Sequence, residues 1–143
     1  KASEPAVVID SLQEISCRCK QVLLVEDNEL NLEIAVELLK YAGLNITTAK
    51  NGLEGLDKFK AAPPGTYALI LMDIQMPVMN GLEAAKAIRA LPVKDAQPVP
   101  IVAMTANAFP EDIAATLQAG MNEHLSKPID LEQFHSILQK WCQ

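Results

Sequence analysis

Residues 21–143 alternate between short apolar runs and segments with helical periodicity, and this alternation restricts the fold more than any other feature of the chain. A segment with apolar residues at spacings of three and four follows each run. The alternation repeats five times with short connections, which predicts a doubly wound α/β fold with a parallel sheet covered by helices on both faces. The runs are QVLLV (21–25), NITTA (45–49), YALILMD (67–73), VPIVAMT (99–105) and EHLSK (123–127).

The first helical segment carries signals for its own start and end. Asn28 is placed to cap the helix, and Gly43 is placed to end it. Leu30, Ile34 and Leu38 lie on one helical face, which we interpret as the apolar face of the helix.

The composition favours one acidic globular domain. Half of the 143 residues are hydrophobic, and the net charge is -6, which argues against nucleic acid or an anionic membrane as a partner. Cys17, Cys19 and Cys142 are an odd number without a disulfide pattern, so we expect free thiols and a cytoplasmic location. Residues 1–20 lack sustained periodicity and are predicted to be a linker or arm. Because the first residue is Lys1, we expect the chain to be a piece of a longer protein.

Polar side chains follow the predicted strands at the edge where doubly wound sheets bind ligands. Three carboxylates brought together there would repel one another unless a cation shares the site. Mg²⁺, or Mn²⁺ in its place, suits such oxygen ligands and keeps open positions that accept phosphate oxygens. The strand-end residues are Glu26 and Asp27 after the first strand, Asp73 at the end of the third, Thr105 at the end of the fourth and Lys127 after the fifth.

Asp73 is the candidate nucleophile of this set, because a carboxylate can attack phosphorus to give an aspartyl phosphate. Lys127 is expected to pair with one carboxylate and with an incoming phosphoryl group, and Thr105 to donate a hydrogen bond to another phosphoryl oxygen. The 143 residues contain neither a G-x-G-x-x-G nor a Walker A sequence. The set therefore indicates phosphoryl transfer onto an acidic side chain.

Four stretches together resemble the receiver domain of two-component signalling, of the kind attached to hybrid sensor histidine kinases. They read VLLVEDNELN, LILMDIQMPVMNG, PIVAMTANA and GMNEHLSKPID, and the resemblance runs from about Val22 to about Trp141. Four motifs in this order and at these separations are far more specific than any one of them. The resemblance implies a flavodoxin-like, CheY-like (βα)5 domain over residues 21–143 that takes a phosphoryl group from a phosphohistidine on a partner.

The resemblance also implies a role for each residue of the acidic group. Asp73 matches the phosphorylated acid, and Glu26 and Asp27 match the pair that positions Mg²⁺. The backbone carbonyl of Gln75 is implied as a further metal ligand. Gln75 and Asn107 occupy positions that tune the lifetime of the phosphoaspartate in the family.

The switching residues of the family fall on the ends of the last two strands. Thr105 matches the switch hydroxyl, and Lys127 matches the invariant amine, whose bond to Pro128 is expected to be cis. His124 stands where many receivers carry a switch Tyr or Phe, so its charge would depend on pH. The implied output is a changed surface on the fourth helix, fifth strand and fifth helix.

The implied partners are proteins. The phosphodonor would be a histidine kinase dimerisation domain or a histidine phosphotransfer protein, and phosphorylation could bring two copies of the chain together as a dimer. The isolated chain is expected to be no enzyme beyond its own phosphorylation and dephosphorylation, whereas a full-length hybrid parent would be a histidine kinase, membrane-anchored or not.

Two alternative functions compete with this interpretation. A phosphatase of the haloacid dehalogenase type also uses a strand-terminal Asp with Mg²⁺, but it needs a second Asp two residues later, where this chain has Gln75. A receiver fold kept only for protein docking would not need the complete set of acids, hydroxyl and amine.

Overall fold

The computed structural model describes residues 21–41, 43–63, 65–92, 96, 99–106, 109–127 and 131–141. The predicted linker over residues 1–20 lies outside the described residues. So do Asn107 and Pro128, and with Pro128 the predicted cis bond.

Strands and helices alternate along the described chain as the apolar runs predict. The strands are β1 (Gln21–Val25), β2 (Asn45–Ala49), β3 (Leu69–Asp73), β4 (Ile101–Thr105) and β5 (Glu123–Ser126). The helices are α1 (Glu29–Tyr41), α2 (Gly52–Ala61), α3 (Gly81–Arg89), α4 (Pro110–Gln118) and α5 (Leu131–Trp141).

The strands form one parallel sheet in the order β2-β1-β3-β4-β5. The chain runs outward from β1 to β2, returns to β3 on the other side of β1, and then continues outward in the opposite direction. The strand order therefore reverses between β1 and β3, where the carboxyl ends of parallel strands open a crevice for ligands. The predicted doubly wound α/β fold is confirmed.

The core has two layers because successive side chains of a strand point to opposite faces of the sheet. One layer packs against α1 and α5 and includes Val22, Leu24, Leu69, Leu71, Ala35, Leu39, Phe134 and Ile137. The other packs against α2 and α3 and includes Leu23, Val25, Ile70, Met72, Phe59, Ala84 and Ile88. Both faces of β1 and β3 are thus covered, and only their ends reach the crevice.

The predicted apolar face of α1 is wrong for two of its three residues. Leu30 is 64% exposed and Ile34 is 45% exposed, whereas α1 packs through Ala35 and Leu39, with Leu38 partly buried. Eight residues of an α-helix turn through about 80° beyond two full turns, so Leu30 and Leu38 do not face the same way. The small side chain of Ala35 lets the helix approach the sheet, a contribution that the spacing of large apolar residues does not reveal.

Candidate functional site

A pocket of ≈ 220 Å³ lies at the carboxyl ends of the central strands. Every residue that the sequence predicts for the phosphoryl-transfer group lines it, although these residues lie up to 101 positions apart (127 − 26). The lining residues are Glu26, Asp27, Asn28, Asn31, Asp73, Ile74, Gln75, Thr105, Ala106 and Lys127.

Glu26 is fixed by the end of β1 and the start of α1. Its backbone N–H donates to the carbonyl of Ala49 at 3.0 Å, which continues the hydrogen bonding between β1 and β2. One carboxylate oxygen accepts from the backbone N–H of Asn28 at 3.1 Å. Glu26 is only 2% exposed, whereas the next residue, Asp27, is exposed. The acid pair therefore offers one buried and one open carboxylate.

Asp73 is the last residue of β3 and is 5% exposed. The chain turns back directly after it, because the N–H of Gly81 donates to the carbonyl of Ile74 at 2.8 Å. A Cβ at position 81 would lie 2.2 Å from the carbonyl oxygen of Asp73, so only glycine permits this approach. Asn80 caps α3, and its side chain accepts from the N–H of Glu83 at 2.8 Å. The Asn80-Gly81 pair thus starts α3 directly beside the phosphoacceptor candidate.

Lys127 connects two of the buried acids. Its backbone N–H donates to the carbonyl of Thr105 at 2.8 Å, which fixes the residue beside the end of β4. Its ammonium Nζ lies 2.9 Å from Oε1 of Glu26 and 3.0 Å from Oδ1 of Asp73. The sequence predicted a pair with one carboxylate, and the structure places the amine between two.

Burial dominates the electrostatics of Asp73. The pKa of Asp73 is raised from 3.8 to about 7, chiefly by loss of hydration and further by the negative charge of Glu26, while the bond from Lys127 offsets part of the rise. Burial alone would lower the pKa of Lys127, but its bonds to Glu26 and Asp73 outweigh that effect and raise the pKa. The pocket therefore holds a carboxylate that is destabilised by its surroundings and an amine that stays protonated.

The donor set of the pocket fits a divalent cation. Glu26, Asp27 and Asp73 each place a carboxylate oxygen within 4.8 Å of the others. One ammonium cannot neutralise three carboxylates, and three oxygen ligands with an open side match what Mg²⁺ takes in proteins. The exposed Asp27 provides that open side.

The two predicted switch residues occupy different surroundings. Thr105 ends β4 and lines the pocket. His124 lies on β5 opposite Ala103 of β4, is half-buried, and is outside the pocket lining. Thr105 also pairs with Ser126 of β5, two residues from His124, so β4 and β5 connect the two positions.

Two asparagines of the pocket were not predicted as site residues. Asn28 caps α1 as expected, since its side chain accepts from the N–H of Asn31 at 2.9 Å. Asn28 and Asn31 both line the pocket. The signal was available in the sequence, because the first turn of a helix that directly follows the acid pair must lie beside those acids.

The comparisons with known proteins agree with this geometry. Residues 22–139 match the family model described as response regulator receiver domain. The sensor histidine kinase GacS of Pseudomonas protegens is 36% identical over 130 residues, which is 90% of this chain and 14% of that protein. Hybrid signal transduction histidine kinase B of Dictyostelium discoideum is 44% identical over 121 residues, which is 78% of this chain and 6% of that protein. The chain thus spans only a small part of these relatives.

Solved structures show the same fold. The receiver domain of sensor histidine kinase PA1611 from Pseudomonas aeruginosa, with a magnesium ion coordinated in its active site cleft, aligns with a TM-score of 0.78 at 36% identity, covering 86% of this chain and 97% of that one. The co-crystal structure of the Saccharomyces cerevisiae histidine phosphotransfer protein Ypd1 and the receiver domain of Ssk1 aligns with a TM-score of 0.75 at 34% identity, covering 86% and 88%.

The described helices are each too short or too polar to cross a membrane. The family model covers most of the chain, the parallel sheet has the same architecture as the solved receiver domains, and the acidic pocket lies at the end of the central strands. The chain therefore belongs to the response regulator receiver domain family of two-component signalling.

Proposed function

We propose that this domain accepts a phosphoryl group on Asp73 from a phosphohistidine of a partner protein. The observation that carries the proposal is the convergence of Glu26, Asp73 and Lys127, with the ammonium 2.9 Å and 3.0 Å from the two carboxylates. A buried nucleophile beside a fixed cation suits a reaction in which negatively charged oxygens must approach one another.

Asp73 forms the new bond in this scheme. One carboxylate oxygen attacks phosphorus, an O–P bond forms, and the N–P bond of the phosphohistidine breaks with its electron pair remaining on the donor imidazole. Burial destabilises the free carboxylate of Asp73, whose pKa is raised to about 7. Conversion to a bound acyl phosphate relieves part of that cost, since the charge moves outward onto the phosphoryl oxygens.

The remaining residues position the phosphoryl group. Glu26, Asp27, Asp73 and the carbonyl of Gln75 would hold Mg²⁺, or Mn²⁺, which when bound neutralises charge and orients phosphoryl oxygens. Lys127 transfers a hydrogen bond from Asp73 to a phosphoryl oxygen, and it can do so because it already lies in bonding range of that carboxylate.

Thr105, the last residue of β4, moves toward the negative charge of the new phosphoryl group. Its hydroxyl donates to a phosphoryl oxygen, and the shift passes through β4 and β5 to His124. The surface of α4, β5 and α5 is the output in this proposal. α4 has a single buried residue, Thr116, among its described side chains, so little internal packing opposes its movement.

The partners follow from the same chemistry. The donor is a histidine kinase dimerisation domain or a histidine phosphotransfer protein, in keeping with the Ypd1 complex of a similar receiver domain. The parent is a hybrid histidine kinase, as is the Dictyostelium discoideum relative, and this domain lies on the cytoplasmic side. A dimer of phosphorylated domains through the output surface belongs to the same proposal.

Labelling with acetyl phosphate and Mg²⁺ tests the phosphoacceptor assignment. The wild-type protein should gain one hydroxylamine-sensitive phosphate by intact mass, and Asp73→Asn should gain none. Asp57→Asn, which removes an exposed acid of α2, is the matched control and should be labelled like the wild type. Equal labelling of the wild type and Asp73→Asn would overturn the assignment.

A further inference from the structure

A second, smaller pocket lies beside the acidic one, between the end of β4 and the helices α3 and α4. Its volume is ≈ 40 Å³, which leaves room for roughly one or two water molecules. Ile74, Gln75 and Thr105 line both pockets, so the two pockets adjoin each other. The residues that line the smaller pocket are Ile74, Gln75, Leu82, Thr105, Asp112 and Ala115.

Thr105 stands between the two pockets. It is the last residue of β4 and is half-buried. A threonine hydroxyl has a single donor hydrogen, and rotation of the side chain directs that hydrogen to one acceptor at a time. The hydroxyl of Thr105 can therefore donate into the acidic pocket or into the smaller pocket, and a bond in one excludes a bond in the other.

Asp112 is the charged residue among the described residues that line the smaller pocket. It is half-buried in the first turn of α4. In α2, the acid at the corresponding position, Glu54, accepts from the backbone N–H of Lys50 at 2.6 Å. In α3, Glu83 likewise accepts from the N–H of Asn80 at 3.0 Å. No described residue donates a hydrogen bond to the carboxylate of Asp112, so this acid does not cap its helix as the other two do.

The carboxylate of Asp112 and the hydroxyl of Thr105 complement each other chemically. A half-buried carboxylate that lacks a donor has lost hydration without replacement, which costs free energy. Thr105 offers an O–H donor to the same pocket. In a pocket of this size the hydroxyl can reach the carboxylate directly or through one bridging water molecule. A bond between the two groups would therefore stabilise the domain before phosphorylation.

We propose that Asp112 is a regulatory residue that competes with the phosphoryl group for the hydroxyl of Thr105. In the unphosphorylated domain the hydroxyl donates toward Asp112 in the smaller pocket, and phosphorylation of Asp73 draws it into the acidic pocket. The inference rests on the proposed phosphoacceptor function and adds the residue that opposes switching. Because Asp112 belongs to α4, loss of this bond changes the first turn of α4 directly, in addition to the route through β4 and β5.

Binding of beryllofluoride tests this competition, since beryllofluoride adds to a carboxylate as a stable mimic of a phosphoryl group. Asp112→Ala removes the competing acceptor, so the affinity of the domain for beryllofluoride in Mg²⁺ should rise about tenfold, the factor that corresponds to one charge-assisted hydrogen bond. Asp112→Asn keeps a weaker acceptor, and the affinity should rise about threefold. Isothermal titration calorimetry measures both affinities.

Two controls separate the hydrogen bond from a general effect of charge. Glu111→Ala removes the neighbouring exposed acid from the same turn of α4, with a similar effect on net charge and on the helix dipole. Glu111 does not line the smaller pocket, so the affinity of this variant should stay within about twofold of the wild type. In a Thr105→Ala background, Asp112→Ala should change the affinity by less than about twofold, because the hydroxyl is absent.

The outcomes separate this inference from the function on which it rests. Equal affinities of the wild type and Asp112→Ala would overturn the competition. An equal gain from Asp112→Ala with and without the Thr105 hydroxyl would also overturn it, because the loss of charge alone would then explain the gain. If Asp73→Asn bound beryllofluoride as tightly as the wild type, the phosphoacceptor assignment itself would be rejected, and the competition with it.

Discussion

The raised pKa of Asp73 predicts an unusual pH dependence of stability. In the unfolded chain this carboxyl has its ordinary pKa of 3.8, and in the folded domain burial raises the pKa to about 7. The folded state therefore holds the proton more tightly than the unfolded state between these values. The resulting stabilisation is fully present below about pH 4 and is lost as the pH rises through about 7.

Asp73→Asn removes this titration and keeps the shape of the side chain. A difference of about 3 pKa units corresponds to about 4 kcal/mol, because each unit contributes about 1.4 kcal/mol. The unfolding free energy of the variant, relative to that of the wild type, should thus rise by about 4 kcal/mol as the pH increases from about 4 to about 8. Lys127 keeps Glu26 as a partner at 2.9 Å, so the substitution does not leave a buried amine unpaired.

Urea unfolding in EDTA at several pH values measures this difference. Comparison of the two proteins at each pH cancels the titration of the groups that do not contact Asp73. Asp57→Asn, which removes an exposed carboxylate of α2, serves as the control for the loss of one acid. A constant difference between the wild type and Asp73→Asn across the range would refute the argument that burial controls the charge of Asp73.

Two further substitutions test the metal site and the far end of the domain. Asp27→Ala should weaken Mg²⁺ binding about tenfold or more, while its metal-free stability is kept because one of three mutually repelling carboxylates is removed; an unchanged Mg²⁺ titration would exclude Asp27 as a ligand. Arg89→Met should lower the unfolding free energy by about 2–4 kcal/mol, because the guanidinium donates to the carbonyls of Gly120, Ala96 and Val99 and to Oδ1 of Asn122. Labelling of Asp73 in folded Arg89→Met should be normal, and a wild-type denaturation midpoint would show that these bonds contribute little.

Arg89 also illustrates what sequence patterns leave out. Its partners are mostly backbone carbonyls, which every residue carries, and these partners lie 7 to 33 positions away along the chain. The residue types at these positions do not indicate that their carbonyls accept hydrogen bonds from Arg89. Burial lowers the pKa of Arg89, yet its acceptors are dipoles arranged by the turns after α3 and α4. This group of acceptors around the guanidinium can be recognised only from the positions of those turns in the folded domain.

The apolar faces of the helices show the same limit on a smaller scale. The spacing of Leu30, Ile34 and Leu38 is helical, and α1 is indeed a helix, but the sheet contacts Ala35 and Leu39. Periodicity determines that a segment forms a helix, whereas its rotation depends on which side chains allow close approach to β1 and β3.

The sequence by itself determined the element order, the parallel sheet and the residue types at its carboxyl edge. Those follow from short-range rules, since alternating runs with short connections permit few topologies. The residues that converge on the pocket were predictable for the same reason, because the ends of parallel strands lie at one edge.

Only the tertiary structure decided how those residues act on one another. It placed Lys127 between Glu26 and Asp73 and raised the pKa of Asp73. Charge interactions and loss of hydration depend on distance through space and on depth below the surface. Neither the distance nor the depth is a property of neighbouring residues in a chain, so both are determined only by the folded domain.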